Sequence, residues 1–528
     1  MNELGVGLPA IIAYARAGSL EQAWAMFQAA GYDRAGDDPA ALAIKGRLLK
    51  DRAQRLAGLE RAALYAEAAR AYAASAGISG ATYPLINAAT LSLLAGDVAR
   101  SADLARQVLA RIEDHPDEPE TPYYRAATGA EALLLLGRGT DAEIALSEAV
   151  SLAPRAWEDH ASTLRQIALI LAAQKREAGW LDQLRPPRSL HFGGHMSFRA
   201  DTRPEPLTRN IAALLAEERI GFGFGALAAG ADILVAEALL EAGAELQLLL
   251  PGGIEAFAAL SVDPFGAGWR RRFDLVLGRA AGVRAVAPFG RRPDQAMIDL
   301  ADEIAMGTAL GNARRLASEA VQLLVLDNAA GEMGSRSAAI WTGGGKERRQ
   351  YILIAAREDV GALSVAAPAG AEPSLATLAI PVSAAGGSDE AERLREIKAV
   401  LDQGAAPAIP ASFTGEMVLV SYDGPDTAAE AATALSEGLG DIAVGGHYGV
   451  CALTFDPFNG GAKATGRTLT LARAAAGSAL PGAVCVSEDF AMALEVIDPA
   501  RFQASFIGEL VDPEDTAPIG LYGLRRGL

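Results

Sequence analysis

The chain changes its hydrophobic period once, at Pro186-Pro187. Through residue 180, apolar residues recur at three- and four-residue spacing and no window alternates with period two, the pattern of helices alone. Beyond the proline pair, short apolar runs ending in Gly or Pro alternate with helical stretches, as strands and helices do around a parallel sheet. One polypeptide must therefore satisfy two packing schemes, and 528 residues leave room for three or four domains of about 100–200 residues each. An apolar content of 51% supports true cores. Aromatics are only 6%, so those cores must be built from Ala, Leu and Val.

Charge narrows the partners. Lys and Arg number 47 against 65 Asp and Glu, a formal net charge of −18, which disfavours nucleic acid and anionic membrane surfaces. No apolar run approaches the ~20 residues of a spanning helix. The opening MNELGVGLPAIIAYARAG has no basic stretch before its apolar residues, so no secretory signal is expected. A soluble cytoplasmic protein is the expectation, with no membrane and no nucleic-acid partner. The cysteines, Cys451 and Cys485, are too few for a disulfide framework or a four-thiolate zinc site. His191 and His195 in HFGGH lack a third ligand nearby, so neither a metal nor a cofactor is expected.

Within residues 1–180 two segments resemble each other at an offset of 40 residues. One is YPLINAATLSLLAGDVARSADLARQVLARI from Tyr83, the other YYRAATGAEALLLLGRGTDAEIALSEAVSLAP from Tyr123. Each has an aromatic start, a small-residue helix ending in L-x-x-G, and a second helix with recurrent Ala. A weaker copy surrounds Trp24. Gly96 and Gly137 fit the turns. The pattern resembles tetratricopeptide-type repeats, which implies stacked helix pairs presenting a surface to a protein partner. A plain helical bundle is the alternative. His115 and His160 stand among charged neighbours and are expected to be solvated.

Residues 186–355 read as an α/β Rossmann-like parallel sheet. A strand ends in Gly193-Gly194-His195, and IGFGFGALAAGADILVAEALLEAGAELQLLLP reads as strand, Gly-rich turn, helix, strand. Gly223, Gly225 and Gly230 lie where a helix N-terminus would meet an anion, since free N–H groups and the helix dipole favour phosphate there. Tight strand–helix packing explains the same glycines without a ligand. The layout resembles the SLOG superfamily, which includes lysine-decarboxylase-like phosphoribohydrolases. The resemblance implies a nucleotide or ribose-phosphate ligand held at Gly193, Gly194, Gly223, Gly225, Ala226 and Gly230. That family's second motif, Pro-Gly-Gly-x-Gly-Thr-x-x-Glu, is degraded: Gly334-Ser335 stands for Gly-Thr, and Ala338 takes the Glu position. Binding without hydrolysis is implied, unless Glu332 or Glu237 substitutes. Arg270, Arg271 and Arg272 beside Trp269 either face phosphate or form an exposed helix face paired with acids.

Residues 356–375 read as a linker. Residues 375–528 then alternate strands and helices as an α+β domain with a mainly antiparallel sheet. From Thr465 the chain carries Gly466, Leu469, Thr470, Pro481, Gly482, Val486 and Ser487, and an earlier strand carries His447 and Gly449. These residues resemble class III nucleotide cyclase domains, which implies pairing as a homodimer. They also imply a site built on two metal-binding Asp residues, a purine-selecting Lys, and a transition-state Asn and Arg. Here the two Asp positions fall on Pro381 and Glu416, the Lys near Ser412, and the Asn and Arg on Thr470 and Ala474, with Arg473 one position off. Proline has no ligand atom, so no catalytic residue and no metal are expected. The expected fold is multidomain: an all-α helical repeat, an α/β Rossmann-like parallel sheet, and an α+β cyclase-like domain. The expected function is a non-catalytic signalling or scaffold protein sensing a nucleotide-derived ligand. The alternatives are a nucleotide N-glycosidic hydrolase and a divergent adenylate cyclase.

Overall fold

A computed structural model describes residues 7–16, 20–115, 121–196, 205–286, 292–327, 335–345, 348–356, 372–382, 390–457, 460–510 and 518–527. They form two compact units, Met1–Pro186 with Arg315–Ala317, and Pro187–Arg314 with Ser318–Gly527. Among the described residues no helix is long and apolar enough to cross a membrane.

The first unit is all helical. Successive pairs are Pro39–Ala53 with Gly58–Ser79, Thr82–Leu94 with Val98–Asp114, and Pro122–Leu135 with Gly139–Leu152, followed by Trp157–Ala173. The turns inside the two repeats use Gly96 (φ 91°) and Gly137 (φ 77°), left-handed positions where a side chain would be strained. Asp97 caps its helix by accepting from the Arg100 N–H, and Thr121 does the same for Tyr124. The core between the pairs is small and aliphatic: Ala88, Ala89, Leu91, Leu104, Ala105, Ala130 and Leu134 are buried together. His160 departs from expectation. It is 1% exposed, stacks on Tyr123 at 5.3 Å and meets Trp157 edge-on at 5.6 Å. Its Nε2 donates to the Ala153 carbonyl at 2.9 Å, and burial lowers its pKa, so it sits neutral in the packing. His115 is exposed, as expected.

The second unit holds two sheets. The first is wholly parallel, in the order β4-β3-β2-β1-β5-β6. Its strands are β1 (Arg188–Gly194), β2 (Ile220–Gly225), β3 (Glu245–Leu250), β4 (Gly282–Ala285), β5 (Ala320–Leu326) and β6 (Arg349–Ile354). Strand order reverses between β1 and β5, so the crevice at their carboxyl ends is the switch point of the sheet.

The second sheet has the order β14-β15-β13-β10-β7-β9-β8. It comprises β7 (Ser374–Pro381), β8 (Ile409–Phe413), β9 (Met417–Tyr422), β10 (Val444–Val450), β13 (Val484–Ser487), β14 (Phe502–Leu510) and β15 (Ile519–Arg526). Only β10 and β13 pair in parallel; the other pairs are antiparallel. A detached hairpin, β11 (Ala452–Asp456) with β12 (Gly461–Thr465), leaves Phe455 70% exposed. Gly445 of β10 lets the Arg467–Ser478 helix lie flat on the sheet, because a Cβ there would overlap the Ala476 amide and the Ala472 carbonyl. β8 is an edge strand and carries Pro410, where a missing N–H breaks no ladder.

The two sheets share one hydrophobic core. Leu300, Ile304 and Ala305 of the Gln295–Arg315 helix pack with Leu378, Ile380, Phe490 and Met492. Gly307 lies against the Met492 backbone so closely that a Cβ would overlap it. Charged contacts close the seam. Arg284 pairs with Asp489, Arg314 with Glu495, and Tyr448 donates to Glu303 at 3.2 Å. The expected linker falls mostly on 357–371, outside the described residues.

Candidate functional site

The carboxyl edge of the parallel sheet brings the predicted glycines together. β1 and β2 are hydrogen-bonded neighbours, so Gly193-Gly194 and the loop from Gly225 meet on one edge. A Cβ on Gly193 would meet only the Leu324 side chain at ordinary contact distance, but the other glycines make room for close packing. A Cβ on Gly194 would strike Ala231, one on Gly223 would strike Leu239, and one on Gly225 would strike the Phe192 carbonyl and ring. Gly230 (φ 107°) turns the chain into the Ala231–Glu241 helix against the His195 backbone. Ala226 is half-buried beside them. The space where a phosphate would meet the helix N-terminus holds the Asp232 side chain, only 6% exposed. Its Oδ2 accepts the Ala228 N–H at 3.1 Å. Oδ1 is buried without a well-formed hydrogen bond, although the nearby Gly194 amide favours its charge. Burial raises the Asp232 pKa to about 7, with Asp302 adding repulsion.

Beneath this edge lies a polar network that sequence reasoning did not find. His191 is fully buried; its Nε2 donates to Asp302 at 3.1 Å and its Nδ1 accepts from the Gln322 amide at 3.0 Å. Its ring stacks over Trp341. His195 donates instead to the Ala355 carbonyl at 2.9 Å, so the two imidazoles serve separate hydrogen bonds. The register His191↔Gln322 was the available signal, two polar residues at matching positions of apolar strands, but only the sheet order pairs them. In the arginine cluster Arg271 is exposed, while the other two arginines form acid pairs. Arg270 contacts Glu255, Asp263 and Asp274, while Arg272 grips Glu237 at 2.8 and 2.6 Å and stacks on Trp269. Glu237 is therefore engaged as an ion-pair partner. Gly334 and Glu332 lie outside the described residues, and Ser335 caps the Arg336–Gly343 helix.

In the mixed sheet, Pro381 and Glu416 do come together. Pro381 is in register with Met417 across β7 and β9, and the Val382 N–H donates to the Glu416 carbonyl at 2.9 Å. The Glu416 side chain is exposed. Thr470 and Ala474 sit one turn apart on the Arg467–Ser478 helix, both half-buried, while Arg473 faces solvent. Ser412 lies on the edge strand β8. This geometry brings the Glu416 backbone to the strand end where Pro381 offers a pyrrolidine ring and no ligand atom. Among the described residues, no group of three or more His, Cys, Asp or Glu side chains is arranged to hold a metal ion.

The helical unit carries a polar ladder across the first helices of successive pairs. The Thr90 hydroxyl donates to Glu131 at 2.6 Å, Gln166 donates to the same carboxylate at 3.1 Å, and the Tyr124 hydroxyl donates to Asp159 at 2.6 Å. Burial raises the Glu131 pKa. Tyr83, the aromatic start of the first repeat, is exposed; its counterpart Tyr123 is buried, and the neighbouring Tyr124 is exposed.

A family model described as Tetratricopeptide Repeats-Sensor matches residues 9–92. No curated protein matches the chain. Among solved structures the chain is similar to an adenylate cyclase from Trypanosoma brucei in its monomeric state. That match has 15% identity, covers 32% of this chain and 94% of the other, and has a TM-score of 0.25. It is also similar to the guanylate cyclase domain of a Catenaria anguillulae protein in complex with GTP, at 13% identity, 30% and 100% coverage, and a TM-score of 0.25. An adenylyl cyclase from P. aeruginosa matches at 15% identity, 29% and 93% coverage, and a TM-score of 0.22.

Proposed function

We propose that the chain is a non-catalytic signalling or scaffold protein. Its helical unit engages a protein partner through the surface around Tyr83 and Tyr124. Its mixed-sheet half is a cyclase-like module without turnover, and it pairs with a second copy. Its parallel-sheet half senses a nucleotide-derived ligand at the edge formed by Gly194, Gly225 and Gly230. The observation that carries this reading is Pro381 beside Glu416: one of two expected metal-binding positions has no ligand atom. A two-metal displacement needs both carboxylates to neutralise the triphosphate and activate the attacking hydroxyl. At the parallel-sheet edge an anionic ligand must compete with Asp232 for the Ala228 and Gly194 N–H groups. Asp232→Ala should therefore tighten binding of a ribose phosphate.

The deciding experiment incubates the purified chain with ATP or GTP and Mg²⁺ or Mn²⁺ and separates the products. No cyclic nucleotide above background is expected. Cyclic product that disappears in Glu416→Ala would overturn the reading.

A further inference from the structure

The mixed sheet contains a cavity on the face opposite the Arg467–Ser478 helix. That helix covers the face bearing Ala379 and Leu419. The other face of β9 bears Val418, Val420 and Tyr422, which point the alternate way along the strand. Over them lies the Glu390–Leu401 helix, held at one side. Its Arg393 is buried and pairs with Asp441, and the helix packs on the Pro425–Leu439 helix. Its other side spans β8 and β9 without closing on them. The pairing of β8 with β9 shifts register between Ile409 and Ser412, which bends the edge strand. The result is a cavity of about 590 Å³ walled by Leu394, Ile397, Phe413, Val418, Val420 and Tyr422. That volume lies within the range of small-molecule sites, about 300–1,000 Å³.

Two details define what would fit. Tyr422 is only 2% exposed, yet its hydroxyl has no hydrogen-bond partner among the described residues. A hydroxyl on a cavity wall with no protein partner is free to donate to a ligand. The charges at the cavity, Lys398 and Asp402, neutralise each other at 2.7 Å. An ionised ligand would find no free counter-charge there.

We propose that this cavity binds an uncharged, mainly apolar small molecule bearing one hydrogen-bond acceptor, such as a ketone, ester or lactone carbonyl, to which the Tyr422 hydroxyl donates. The site is separate from the Pro381–Glu416 strand end and does not depend on the signalling role proposed above.

The test titrates the full chain with Prodan, a neutral naphthyl ketone whose fluorescence shifts to the blue in apolar surroundings. Saturable one-to-one binding is expected. Tyr422→Phe should weaken it roughly three- to tenfold, the worth of one neutral hydrogen bond. Ile397→Trp and Val418→Phe, two independent ways to fill the cavity, should each weaken it more than tenfold in protein that keeps its circular dichroism. Dodecanoate, apolar but anionic, should compete at least tenfold more weakly than an uncharged ketone of similar length. The proposal fails if wild-type binding does not saturate, or if neither filled variant that folds loses affinity. It also fails if Tyr422→Phe binds as well as wild type, or if dodecanoate competes better than the ketone.

Discussion

Asp232→Asn separates the electrostatic cost of the buried carboxyl from its packing. Asn has nearly the same shape and can still accept the Ala228 N–H, so the packing stays and the charge goes. The wild-type carboxyl has its pKa raised from 3.8 to about 7 by burial, so the folded state holds its proton more tightly than the unfolded chain. Its stabilising contribution is therefore fully present below pH ~4 and is lost as pH rises to about 7. Each pH unit in that window removes about 1.4 kcal/mol. The shift of roughly three units thus amounts to at most about 4 kcal/mol, and about 2–3 kcal/mol of it falls between pH 5 and 7. Urea unfolding of both proteins should be followed at half-unit steps from pH 5 to 8. The stability of wild type relative to Asp232→Asn should fall through pH 5–7 and level off above about pH 7.5. Parallel profiles for the two proteins would refute the assignment of a raised pKa to a buried, poorly solvated carboxyl.

Gly445→Val should destabilise the two-sheet unit by about 1–3 kcal/mol through overpacking, because the new side chain meets backbone rather than a movable side chain; a thermal melt checks it. His160→Ala removes a buried ring that two aromatics enclose, and should cost about 2 kcal/mol or more, read as loss of amide-exchange protection in the Trp157–Ala173 helix. Light scattering at micromolar concentration should give a dimer, and Phe455→Ser on the exposed β11–β12 hairpin should shift it toward monomer; a strict wild-type monomer would count against pairing.

Much of the architecture was legible because period is a local property. The strands of the parallel sheet are apolar runs between glycine and proline signals, and β1 to β6 all fall where those runs do. What stayed hidden depends on partners far along the chain. His160 looks solvated beside Glu158 and Asp159, but Tyr123 encloses it from another helix. Asp232 reads as an ordinary acid in a helix's first turn, and its burial beside the Ala228 and Gly194 amides shows only in the fold. The glycines were the hardest case. A glycine that makes room for a phosphate and one that makes room for Phe192 or Leu239 look identical until the facing atom is known. The pairing of Pro381 with Glu416 followed from a resemblance, and their meeting at one strand end rests on the register of β7 with β9.

The seam joining the two sheets limits how such a protein can be rearranged over evolutionary time. Leu300, Ile304, Phe490 and Met492 are each buried by residues of both halves, and each is worth about 1.5–3 kcal/mol of transfer free energy. Cutting the chain near residue 365 and fusing either half to a foreign neighbour would strip that cover and leave Arg284 or Asp489 without its counter-charge. A recombination junction at Pro186 breaks none of these contacts. The two sheets thus depend on each other for both apolar cover and charge pairing, so a junction between them would lose both at once.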